Sequence, residues 1–317
     1  MMTRNECAAW LAQHDNYVIL THRRPDGDTM GSAVALCHGL RQLGKTAVVL
    51  ENREVSHVVS QILSDSILTT EVQENATVIS VDLASPGMFP KECQHLVERC
   101  QLRIDHHATG DSYAPNELVD GTAPACGDIV YDLLMELGVA LDEAMAKALY
   151  VAVSTDTGCF RFANTNAHAY RVAAACAETG ANLYPLTQAL FDTNSMSKLK
   201  LQSWMVENAK IFAGGKAAVC AIPRSVEETV TKDDLEGIPG FLRSIEGVCM
   251  SATIRELEDG AKMSVRAIPG YDATVICGQF GGGGHKGAAG AGTKLPLGEL
   301  EEAVIAAMEA YLNEVQL

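Results

Sequence analysis

The segment Thr21-His22-Arg23-Arg24-Pro25-Asp26-Gly27-Asp28-Thr29-Met30-Gly31-Ser32 places one imidazole and two carboxylates within seven residues. A mixed His/Asp set suits Mn²⁺ or a similar divalent ion. The same residue types return at Asp82, at Asp105-His106-His107 and at Asp156. If these positions converge, His22, Asp26, Asp28, Asp82, His106 and Asp156 surround a space for two cations. Two cations about 3.5–4 Å apart suit displacement at phosphorus. Without a cation, so many carboxylates repel one another. Asp105, ahead of two histidines, reads as the carboxylate that orients one of them.

These side chains need rigid elements behind them. Tyr17-Val18-Ile19-Leu20 reads as a buried strand, and Pro25 and Gly27 turn the chain into a helix over 28–43 that stops at Gly44. Residues 47–50, 76–81 and 101–104 are further strands, the last two ending at Asp82 and Asp105. Residues 3–13 read as a helix, Thr122 as the cap of a helix to Leu137, and 142–154 as a helix leading into Thr155-Asp156. Asp156 is nonetheless grouped with the strand-end residues. A lone Asp after a strand is usually a helix cap or an Asx turn, but four clusters in one domain argue for a shared site. Open α/β sheets bind ligands at the carboxyl ends of their strands. The expected fold class is α/β, with a mostly parallel sheet covered by helices over residues 1–192.

Composition shifts after Asp192. Residues 193–215 form an expected helical linker, and 216–317 a smaller α/β domain with a mixed sheet. Glu258-Asp259-Gly260 supplies a hairpin turn. The run Gly281-Gly282-Gly283-Gly284-His285 has two readings. It is a flexible turn, or its amides and His285 donate to a substrate phosphate. It is no P-loop, because no Lys-Ser/Thr follows at the required spacing. Arg266, on a strand, is a surface residue or the partner of a second phosphate. In Phe160-Arg161-Phe162 the aromatics are expected in the core, with Arg161 reaching towards substrate.

The chain has 317 residues, 47% hydrophobic and 20% charged, which marks a globular protein. Its 24 Lys and Arg against 40 Asp and Glu give a net charge of −16. That argues against long duplex nucleic acid, while bound cations would still allow a small anionic substrate. No apolar run approaches the ~18 residues of a membrane span, and the N-terminus lacks a signal-peptide core. The ten cysteines contain no CxxC pair. A reduced, cytoplasmic setting is therefore expected.

At its chemistry-bearing residues the chain resembles the DHH phosphoesterase superfamily. Residues 21–32 resemble its first motif, Val81-Asp82 the second, Asp105-His106-His107 the third, and Thr155-Asp156-Thr157-Gly158 the fourth. The Gly-Gly-Gly-Gly-His-Lys-Gly-Ala-Ala-Gly run resembles the signature of the DHH-associated domain. Length and two-domain plan are similar to the nanoRNase type. The resemblance implies two Mn²⁺ ions, one on His22 and Asp26, one on Asp28 and His106, with Asp82 and Asp156 touching both. It implies His107 as an acid or hydrogen-bond donor at the phosphate, beside Asp105. It also implies that Gly282, Gly283, Gly284, His285 and Arg266 bind substrate. The expected reaction is hydrolysis of short oligoribonucleotides to 5′-mononucleotides, or of 3′-phosphoadenosine 5′-phosphate to AMP, by two-metal activation of water. Alternatives are a phosphodiesterase for cyclic or linear dinucleotides, and a non-catalytic nucleotide-sensing module. A homodimer is left open.

Overall fold

The computed structural model describes residues 1–60, 67–235 and 237–315. Chain contacts divide it into two compact units, Met1–Thr193 and Asn194–Leu317.

The first unit holds strands β1 (Tyr17–Leu20), β2 (Ala47–Leu50), β3 (Leu68–Thr69), β4 (Thr77–Val81), β5 (Cys100–Asp105) and β6 (Asn116–Val119). Its helices are α1 (Arg4–Gln13), α2 (Gly27–Gln42), α3 (His57–Ser60), α4 (Cys126–Glu136), α5 (Glu143–Asp156), α6 (Ala167–Glu178) and α7 (Tyr184–Thr187). The strand order is β3-β2-β1-β4-β5-β6, and every pairing is parallel. Strands β1 and β4 are buried along their whole length, as expected of central parallel strands covered on both faces. Alternation sends Tyr17 and Ile19 into one core, and Val18 and Leu20 into the other. The chain builds outward from β1 in one direction, then returns to place β4 on its other side. The gap between the carboxyl ends of β1 and β4 is therefore a topological switch point.

Three helices meet at that end of the sheet because small residues let them. A Cβ at Gly31 of α2 would lie 2.3 Å from the Ala148 carbonyl oxygen of α5, and one at Gly127 of α4 would lie 2.5 Å from the Ala152 Cβ. Two local expectations are corrected here. Helix α4 starts at Cys126, not after Thr122, whose N–H and hydroxyl both donate to Asp120 Oδ1 in a turn (3.0 and 2.6 Å). Asp156 follows no strand: it is the last residue of α5, and the helix stops where Gly158 turns left-handed (φ 56°).

The second unit holds α8 (Met196–Asn208), α9 (Arg224–Glu227), α10 (Ile238–Phe241), α11 (Ala273–Gly278) and α12 (Leu297–Val315). Its strands are β7 (Lys210–Phe212), β8 (Ala217–Ile222), β9 (Met250–Leu257), β10 (Gly260–Ala267), β11 (Gly283–His285) and β12 (Ala288–Thr293). They are ordered β11-β12-β10-β9-β8-β7, with β8 and β9 parallel and the other pairs antiparallel. The segment expected as a linker, 193–215, supplies α8 and β7 to this unit. Leu201 and Met205, one turn apart on α8, pack with Ala218, Cys220 and Ile222, so this helix is part of a core.

Candidate metal centre

Four of the six sequence-predicted ligands in the first unit, His22, Asp26, Asp28 and His106, are fixed by hydrogen bonds to backbone or a neighbour. His22 follows β1 and is 8% exposed. Its Nδ1 donates to the Arg23 carbonyl (2.9 Å), which leaves Nε2 as the nitrogen that would bind a cation once its proton is released. His106 repeats the device, with Nδ1 against the Ala123 carbonyl at 3.2 Å. Asp26 is the N-cap of α2, its Oδ1 accepting from the amides of Asp28 and Thr29 (3.0 and 3.1 Å). Asp28, fully buried, accepts from the amides of Cys126 and Gly127 at the start of α4 (2.6 and 2.9 Å) and from Ser32 Oγ (3.1 Å). Asp82 directly follows β4 with φ at 62°, a strained conformation for a residue with a Cβ. Thr29 Oγ1 donates to the adjacent Val81 carbonyl (3.0 Å) and holds the strand end in place.

These side chains converge. His22 Nε2 lies 3.6 Å from Asp26 Oδ1 and 3.5 Å from Asp82 Oδ2. His106 Nε2 lies 3.4 Å from Asp82 Oδ1, 3.4 Å from Asp156 Oδ2 and 3.7 Å from Asp28 Oδ2. Donor atoms gather within 4.8 Å in three sets: His22/Asp26/Asp82, Asp28/His106/Asp156 and Asp82/His106/His107. Asp82 is shared between sets. Asp156 is grouped with Asp28 and His106.

Electrostatics favour a cation here. Burial pushes the Asp28 carboxyl well above its ordinary range, and the carboxylates of Asp82 and Asp156 push it further. Burial, then Asp26 and Asp82, raise Asp156 to about 7. Burial opposes charge on His106, but the facing carboxylates outweigh it and raise the imidazole to about 11. Protons thus take the place that cations would fill, and cation binding must release them. Asp82 Oδ1 is buried and accepts no hydrogen bond from any described residue, an unmet demand that a cation satisfies. The donor set, the oriented imidazoles and this orphaned oxygen fit divalent metal.

Asp105 is the organiser expected from sequence. Fully buried, it pairs with Arg103, accepts from the amides of His106 and His107 (2.8 and 3.2 Å), and takes the Nδ1–H of His107 at 2.7 Å. Burial alone would raise its carboxyl, yet His107 and Arg103 bring it below the ordinary value. Two supporting residues escaped the sequence reading. Arg103, buried, lies 5.3 Å over the Tyr113 ring and donates to the Asp111 carbonyl. Its signal was its spacing: two residues before Asp105, it shares a strand face with it. Asn52, just past β2, donates to Thr21 Oγ1 (3.2 Å) and to the His22 carbonyl (2.9 Å). No motif marks it.

The other candidates differ in character. Arg161 is exposed, and its Nε donates to the Gly158 carbonyl (2.6 Å). Phe162, expected in the core, is 48% exposed, while Phe160 is partly buried against it. Position 162 follows a left-handed turn that carries its ring outward. In the second unit the glycine run is partly strand: Gly283–His285 is the edge strand β11, paired with β12. His285 is exposed, and at Gly284 (φ 144°) a Cβ would sit 2.5 Å from the Ala288 carbonyl oxygen. Arg266 is half-buried on β10, its Nη1 donating to the Val265 carbonyl.

A parallel sheet with a His/Asp cluster at its switch point fits the class of phosphate-ester hydrolases that use divalent metal. The chain belongs to the DHH family. The model of the DHH family N-terminal domain matches residues 16–153, and that of the DHHA1 domain matches 214–314. A bifunctional oligoribonuclease and PAP phosphatase NrnA from Thermus thermophilus is 32% identical, over 93% of this chain and 90% of the relative. The protein so named in Bacillus subtilis is 24% identical, over 91% and 92%. Among solved structures, an exopolyphosphatase-related protein from Bacteroides fragilis superposes with a TM-score of 0.90 over 99% of this chain and 98% of that one. At 21% identity it speaks to the fold.

Proposed function

We propose that this chain hydrolyses short oligoribonucleotides to 5′-mononucleotides and 3′-phosphoadenosine 5′-phosphate to AMP, using Mn²⁺. The observation that carries this reading is the meeting of His22, Asp26, Asp28, Asp82, His106 and Asp156 in overlapping sets of donor atoms, with one buried oxygen of Asp82 accepting no hydrogen bond among the described residues. The relatives named for both activities span nearly the whole chain and supply the substrate class. These six residues would hold divalent ions, which would supply an activated water and neutralise charge on the phosphoryl group. His107, its Nδ1 tied to Asp105, donates a hydrogen bond or a proton to the reacting phosphate. Asp105 keeps that imidazole oriented and, against the opposing effect of burial, favours its charged form. Gly282, Gly283, Gly284 and His285 bind a substrate phosphate, with Arg266 and Arg161 as further cationic contacts. All ten cysteines are free, which supports a cytoplasmic site of action. No helix among the described residues is long and apolar enough to cross a membrane.

The test is a substrate panel with the purified chain in Mn²⁺, Mg²⁺ and chelator. RNA dimers to pentamers and 3′-phosphoadenosine 5′-phosphate should be turned over with Mn²⁺ and spared with chelator. Turnover confined to pyrophosphate or to cyclic dinucleotides would reject the reading.

A further inference from the structure

Helix α5 ends in an unusual way. Gly158, Cys159 and Phe160 are consecutively left-handed, with φ of 56°, 58° and 61°. Two of the three carry side chains, so the turn is strained. It is held shut from several sides. The amides of Arg161 and Phe162 both donate to the Thr157 carbonyl (3.0 and 2.9 Å), and Arg161 Nε donates to the Gly158 carbonyl. Asn164 Nδ2 donates to the carbonyls of Asp156 and Pro124, both at 3.1 Å, which pins the segment to the metal ligand.

The product of this strain is an aromatic ring facing solvent. Phe162 is 48% exposed and rests on Gly158, where a Cβ would lie 2.4–2.6 Å from three of its ring atoms. Only glycine admits the ring there. Phe160 instead stacks on the exposed Tyr170 of α6 at 5.3 Å and 24°. A half-exposed phenyl gains little from folding, and an aromatic plane held in the segment that leaves the metal-site residue Asp156 matches a flat ligand.

We propose that Phe162 is a base-stacking residue, its exposed face receiving the nucleobase of the nucleotide whose phosphate reacts. This rests on the nucleotide reading above and specifies it. Every base has a π-face, so stacking tolerates sequence. One ring would therefore serve RNA ends of any sequence and an adenine nucleotide alike.

The test compares a 5′-phosphorylated diadenylate with its abasic counterpart, in Mn²⁺, for the wild type and for Phe162→Leu, Phe162→Ala and Phe162→Trp. Leucine keeps an apolar group over Gly158 but removes the plane. The preference for the base-bearing substrate, read as the ratio of KM values, should fall roughly 5- to 150-fold in the leucine and alanine variants. Tryptophan should keep it. An unchanged ratio overturns the proposal, and so does an equal loss on both substrates, which would mean the ring only packs. If the wild type hydrolyses neither, the functional reading fails. The stacking claim is then decided by equilibrium dialysis of AMP against ribose 5-phosphate: Phe162→Leu must lose the preference for AMP, and retention refutes it.

Discussion

The switch-point cluster of the first unit and the glycine hairpin of the second both carry candidate phosphate chemistry, and they are built in opposite ways. In the first, Asp28, Asp82 and Asp105 are essentially buried; the start of α4 donates to Asp28, Thr29 of α2 holds the carbonyl before Asp82, and His107 donates to Asp105. In the second, His285 and its glycines lie exposed along an edge strand. A site that must hold like charges close together needs walls to oppose their repulsion. A site that grips a phosphate with amides needs only a bare backbone. The first arrangement should therefore govern the rate of reaction, and the second affinity.

The sharpest way to break this comparison is Asp82→Ala. Because Asp82 is shared between ligand sets, kcat with Mn²⁺ should fall more than the about 100-fold typical of losing an outer partner. Retained turnover would move the reaction elsewhere. Next comes Asp105→Ala, which strands the buried Arg103 guanidinium. Urea denaturation should show a loss of about 3–5 kcal/mol; wild-type stability would mean that Arg103 finds another partner. Asn52→Ala tests support at one remove. Without its grip on the His22 carbonyl, Mn²⁺ affinity by calorimetric titration should weaken roughly 10-fold, with the fold intact by circular dichroism. The smallest effect belongs to the other region. In His285→Ala, KM for nucleotides should rise about tenfold, consistent with one lost charge-assisted bond, and kcat should change less. A matching collapse in kcat would erase the distinction between the two regions.

Much of the site was legible because each motif is local. Asp26 and Asp28 fall where a cap and a first turn must be, and β1 announces its end through an unbroken apolar run. The misreadings have physical causes. Asp156 was grouped with strand ends, yet it closes a helix; a short apolar stretch before an Asp does not reveal its backbone. Phe162 was expected inside because aromatics usually are, but a left-handed turn reverses its direction. Asn52 left no trace, since its role is to touch residues thirty positions away.

By itself the sequence determined the donor types, the strand and helix periodicities, and the separation into a parallel-sheet region followed by a mixed one. These depend on neighbours a few residues apart, where side-chain alternation and caps act. Only the tertiary structure decided that β4 lies beside β1, that small residues bring α2, α4 and α5 into near contact, and that one oxygen of Asp82 is left without a donor. Those are consequences of packing, in which backbone separation and desolvation are set by groups far apart along the chain.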